Sequence, residues 1–166
     1  KKFLGSKFGT HKFMPLSDSQ TLGFQKAVKK ILNNERLFSK FRSLTAFRII
    51  LEHVSWRLGQ KYSRKIANDE KIAKELIFQV LNQDIFCKPT KYDFRDLGKA
   101  NPTTLRYLAV GSDLLNFFGN QTKISSIIEV GTGFGGQFLI CDVLFELQSY
   151  TMYDLPEVQE LNRRYI

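Results

Sequence analysis

Residues 127–136, IIEVGTGFGG, constrain the fold more than any other stretch: a short apolar, β-branched run leads directly into four glycines within six residues. Such a run, apolar toward both faces, is the pattern of a buried parallel strand, here expected over 126–130. Glycine on the turn that follows permits positive φ and lets a ligand approach the backbone. Phe138, Leu139, Val143, Leu144 and Leu147 then predict a helix over about 136–147, whose N-terminus would offer free N–H groups. SYTMYD predicts a second strand over 149–154, and a last helix runs from Glu157 to the end. Strand, glycine loop, helix, strand and helix make a βαβα unit.

The chain upstream reads differently. Residues 1–17 are a basic, Phe-dotted extended arm. Asp18 or Ser19 can cap a helix carrying Leu22, Ala27, Val28, Ile31 and Leu32. A second helix, about 41–58, is expected to place Leu44, Phe47, Ile50, Leu51, Val54 and Leu58 on one face, with Gly59 ending it. A third is expected over 68–83, capped by Asn68 or Asp69. Residues 84–100 read as irregular. Asn101-Pro102 is a strong helix start, and Gly119 ends that helix, although Gly111 lies inside it. Trp56 and the phenylalanines are expected in the core.

The glycine loop is compatible with two cofactors. Gly131, Gly133 and Gly136 satisfy the G-x-G-x-x-G pattern of a dinucleotide site, and Asp154 ends the next strand where a carboxylate accepts hydrogen bonds from ribose hydroxyls. Glu129, two residues before the first glycine, would repel a pyrophosphate. It suits the ammonium and sulfonium charges of S-adenosylmethionine. The electrostatics favour the latter.

Glu129-Val-Gly-Thr-Gly-Phe-Gly-Gly resembles motif I of the class I S-adenosylmethionine-dependent methyltransferases, and YDLPEV, with Asp154, resembles their next motif. NPTTLRYLAVGSDLLNFFG followed by ISSIIEVGTGFGGQ is similar to a bacterial family of sugar O-methyltransferases associated with surface-polysaccharide synthesis. The likeness covers about residues 100–166. It implies an α/β fold in which a mostly helical N-terminal region, 1–122, for substrate capping or dimerisation, precedes the start of a Rossmann-like sheet, 123–166. It also implies a cofactor site. Gly131, Thr132, Gly133, Phe134 and Gly135 would wrap the methionine part of S-adenosylmethionine. Glu129 would order the loop or contact the amino group. Asp154 would bind the ribose, with Leu155 beside the adenine. A sheet of this class has seven strands and only two are visible, so the chain is expected to be a fragment or a truncated, inactive form, with no catalytic base assigned.

Two other function classes remain open: an NAD(P)-dependent oxidoreductase, and a non-catalytic helical binding or assembly module with a vestigial loop. Asn101, Thr104, Arg106 and Tyr107 are expected to cap or face solvent, with ligand contact as the alternative; His11 and His53 have no visible partner.

Charge is uneven. Residues 1–65 hold fifteen Lys and Arg against three acids, and the remainder holds ten against thirteen. A basic half of this kind suits a nucleotide- or lipid-linked sugar, or peripheral contact with an anionic membrane. A sugar or glycan-type substrate and a homodimer are the expected partners; nucleic acid is not. Two cysteines make neither a disulfide framework nor a metal cluster, and Cys141 is expected in the core. Asn120-Gln121-Thr122 matches a glycosylation pattern that is common by chance. No apolar run approaches the roughly 20 residues of a membrane span, and no signal peptide is evident, so a cytoplasmic location is expected.

Overall fold

The computed structural model describes residues 22–119 and 122–166. The basic arm, His11, the caps Asp18 and Ser19, and most of the glycosylation pattern lie outside them. The described residues form a mixed α/β structure of eight α-helices and two two-stranded sheets.

Helix α1, Leu22–Leu32, buries Phe24, Val28 and Ile31 and turns Lys26, Lys29 and Lys30 outward. The single helix expected over 41–58 does not form. The chain instead makes α2 (Glu35–Phe38), a 3-10 turn at Phe41–Ser43 and α3 (Thr45–Arg48). Serine explains part of the break: Ser39 and Ser43 donate their hydroxyls to the carbonyls of Arg36 and Lys40, an alternative to helical pairing. Ser55, in an extended conformation, then accepts from the Leu58 N–H and starts α4, Trp56–Ala67. Gly59 therefore begins no turn. It lies inside α4, where a Cβ would stand 2.8 Å from the Phe94 ring and 3.0 Å from the Pro102 side chain. Trp56 is not core either; it is 43% exposed.

Asn68 ends α4 rather than capping the next helix, and α5 spans Lys74–Gln83. The Asp69 carboxylate accepts from the Lys71 N–H and from Ser112 on the facing helix. The stretch expected to be irregular holds an antiparallel hairpin, β1 (Tyr92–Phe94) and β2 (Gly98–Ala100), with Tyr92 opposite Ala100. Helix α6, Pro102–Phe117, starts as its sequence predicts: Asn101 Oδ1 accepts from the N–H groups of Thr103 and Thr104 at 2.8 and 3.1 Å. Gly111 inside it faces Leu144 and Ile140, so it sets how closely two helices approach.

The βαβα unit forms as β3 (Lys123–Val130), α7 (Gly136–Leu144), β4 (Glu146–Tyr153) and α8 (Pro156–Tyr165). The strands are parallel, with Ile127 beside Tyr150 and Val130 beside Tyr153. Each strand begins three residues earlier than the sequence suggests, and α7 stops at Leu144 because Phe145 is already extended. Phe138 of α7 packs on Tyr150, and Asn162 of α8 reaches Met152, so both helices serve one face. The other face leaves Ile128 and Val130 67% and 80% exposed, which the expectation of a strand buried on both sides did not foresee. Helix α6 packs on α7, and α1 on α8. One apolar cluster, from Phe24 to Leu161, joins the helical region to the βαβα unit.

Candidate functional site

The turn from β3 to α7 is made by glycines that need to be glycines. Gly131, Gly133 and Gly135 have φ of 78°, 57° and 86°, the left-handed region that costs other residues about 1–2 kcal/mol. Gly135 is the N-cap of α7. Two backbone bonds close the loop: Gly131 N–H donates to Tyr153 O at 2.8 Å, and Gly135 N–H to Thr132 O at 2.9 Å. A Cβ on Gly131 would meet nothing within 4 Å, so the space above it is open.

Asp154 reaches back to this loop from the tip of β4. Its Oδ2 accepts the Gly133 N–H at 3.0 Å, with the Thr132 hydroxyl 3.5 Å away, and its Oδ1 accepts the Leu155 N–H at 2.7 Å. A carboxylate offers about four lone-pair sites; with these three donors in place, acceptor capacity remains on Oδ1 for about one further hydroxyl. Thr132 also accepts from Asn162 Nδ2 at 2.7 Å, which ties the loop to α8. Leu155 is half-buried at the start of α8.

Glu129 lies on the same sheet face as Tyr150 and accepts its hydroxyl proton at 2.8 Å. Burial lifts the Glu129 carboxyl above its ordinary value; the Tyr150 hydrogen bond opposes this, and the nearby Asp154 charge adds to it. Burial, then Glu129 itself, pushes the Tyr150 phenol far above its usual range. Two carboxylates therefore flank the glycine turn, an electrostatic setting that favours a positive group over a phosphate.

Phe134 points the other way, into the helical region. It is 1% exposed and sits edge-on to Phe41, Tyr107 and Tyr165 at centroid separations of 6.0, 6.1 and 5.1 Å. It therefore anchors the loop from behind instead of facing the open side. Gly136 continues this contact, since a Cβ there would collide with Tyr107 and the Phe134 ring.

Against Phe134 stands a buried ionic cluster that sequence reasoning missed. The Arg42 guanidinium pairs through Nε with Glu52 and through Nη1 with Asp84, and also contacts Tyr165 Oη at 3.2 Å and Thr104 Oγ1 at 3.3 Å. Asn101, besides capping α6, donates to Glu52 Oε2 at 2.9 Å. Burial alone would depress the Arg42 pKa; Asp84 and then Glu52 outweigh it and hold the guanidinium charged. Burial raises the Glu52 carboxyl, with Arg42 opposing. In sequence, Arg42 and Glu52 look like ordinary polar breaks in apolar runs. An acid embedded in IILEHV was the one available signal. Thr104 and Tyr107, expected at a cap or in solvent, are buried in this assembly. His53 stays outside it, exposed, with Nδ1 2.9 Å from Ile50 O.

Comparison with protein-family models, with curated proteins and with solved structures finds no match. Among the described residues no group of His, Cys, Asp and Glu could hold a metal ion, and no helix is long and apolar enough to cross a membrane. Cys87 and Cys141 are free and buried.

Proposed function

We propose that this chain carries the S-adenosylmethionine-binding end of an O-methyltransferase acting on a sugar hydroxyl in surface-polysaccharide synthesis. The observation that carries the reading is the pairing of a left-handed glycine turn with two carboxylates, Glu129 before it and Asp154 bonded across it. Glu129 would attract the ammonium group, and Asp154 would receive a ribose hydroxyl. The open space over Gly131 admits the methionine chain, and Leu155 would border the adenine. The sugar acceptor rests on the likeness of residues 100–166 to the sugar O-methyltransferases. Methyl transfer to a hydroxyl depends chiefly on in-line positioning, with a general base to take the proton; no residue of this chain is assigned to that task.

Calorimetric titration with S-adenosylmethionine, S-adenosylhomocysteine and NAD tests the cofactor. Binding of the first two with no NAD binding is the expected result. Binding of NAD alone would overturn the reading, and Asp154→Ala should weaken S-adenosylhomocysteine binding at least tenfold, about 1.4 kcal/mol.

A further inference from the structure

A cavity of about 290 Å³ opens between the C-terminal end of α5 and the side of α7 that carries Ile140 and Val143. Its walls are apolar, with Val80 completing them. Its floor is polar and belongs to the ionic cluster: Arg42, Asp84, Thr104 and Tyr165. We propose that this cavity, which Phe134 and Gly136 line from the back of the glycine turn, binds a compact, neutral molecule with an apolar body and one carbonyl or hydroxyl oxygen, away from the open face over Gly131.

The donors on the floor define that oxygen. Arg42 has five N–H groups. Nε donates to Glu52, Nη1 to Asp84 and Tyr165, and Nη2 to Thr104. The second Nη2 proton has no acceptor among the described residues. The Tyr165 oxygen accepts from Arg42, and its own O–H likewise has none. Arg42 is 1% exposed and Tyr165 is half-buried, so a ligand that brings an acceptor would use donors that face the cavity floor. Local charge selects its kind. One guanidinium faces the carboxylates of Glu52 and Asp84, and Asp142 stands on the rim, so an anionic ligand would meet excess negative charge. A cationic ligand would meet the Arg42 donors. A neutral oxygen suits both. The volume lies at the lower end of the roughly 300–1,000 Å³ of small-molecule sites, which limits the body to about one ring.

Cyclohexanone is a suitable probe, followed by methyl-resolved NMR on the whole chain, with cyclohexanecarboxylate as the charged comparison. The ketone is expected to give saturable shifts at Val80, Ile140 and Val143 in about the millimolar range, with the carboxylate at least ten times weaker. Leu139→Trp fills the mouth from a partly exposed position and should abolish the shifts. Tyr165→Phe should weaken ketone binding about three- to tenfold, the loss of one neutral hydrogen bond. Absence of saturable shifts at these methyls, equal binding of the carboxylate, or undiminished binding in Leu139→Trp would overturn the proposal. S-adenosylhomocysteine should not displace the ketone, so this outcome is independent of the cofactor reading.

Discussion

Phe134, the single bulky residue of the glycine turn, lies beneath the guanidinium of Arg42, whose central carbon stands 4.8 Å from the ring centroid. The front of the turn is backbone and open; its back is an aromatic ring fixed in a charged, buried cluster. The shape of the candidate cofactor site thus depends on residues more than eighty positions upstream in the chain.

Phe134→Ala should destabilise the chain by about 3–5 kcal/mol, the usual cost of emptying a buried aromatic site. Urea unfolding followed by circular dichroism reads the loss. A cost below about 1 kcal/mol would mean that the ring does not anchor the turn.

Arg42→Met should cost about 3–5 kcal/mol, because Glu52 and Asp84 would remain buried without their counter-charge. The triple variant Arg42→Met, Glu52→Gln, Asp84→Asn should recover most of that loss, since it removes all three charges together. If the triple variant were no more stable than Arg42→Met, the penalty would come from lost packing and not from uncompensated charge.

Glu129 supplies a pH dependence. Its carboxyl is lifted above its ordinary value of 4.5, chiefly by burial. The folded chain then holds this proton more tightly than the unfolded chain does. The associated stability is full below the unfolded value and is lost as pH rises through the folded one. Glu129→Gln does not titrate and keeps an acceptor for Tyr150. Its stability relative to the parent should therefore rise as pH increases above about 4.5, the ordinary carboxyl value. A difference that stays flat as pH rises in parallel unfolding titrations would show that folding does not tighten the proton on Glu129.

Gly131 and Gly136 should fail for different reasons. Gly131→Ala meets no neighbour but strains a left-handed backbone, at about 1–2 kcal/mol. Gly136→Ala drives a methyl into Tyr107 and Phe134, at about 1–3 kcal/mol. Aromatic NMR resonances of those two rings should move in Gly136→Ala and stay in place in Gly131→Ala. Equal ring shifts in both variants would contradict these separate causes.

The legible parts of the chain were those with a local cause. Asn101-Pro102 started α6 because a capping amide and a preset φ act within four residues. The order strand, turn, helix, strand, helix was readable from apolar runs punctuated by glycine, and Cys141 was readable as core. The expected helix over 41–58 failed because its apolar spacing was real while Ser39, Ser43 and Ser55 redirected the backbone. Gly59 was misread for a related reason. A glycine demanded by a neighbouring ring looks the same in sequence as one that ends a helix.

The sequence by itself determined the glycine turn, the two carboxylates on either side of it and the βαβα order around them, since each follows from backbone preferences and short-range spacing. Only the tertiary structure decided that Phe134 faces inward, that Asp154 bonds to Gly133, and that Arg42, Glu52, Asp84 and Thr104 share one buried cluster. Those relationships join residues 10 to 92 positions apart (Arg42 to Glu52, Phe134 to Arg42). Burial and charge pairing at such separations arise from packing, which no local pattern encodes.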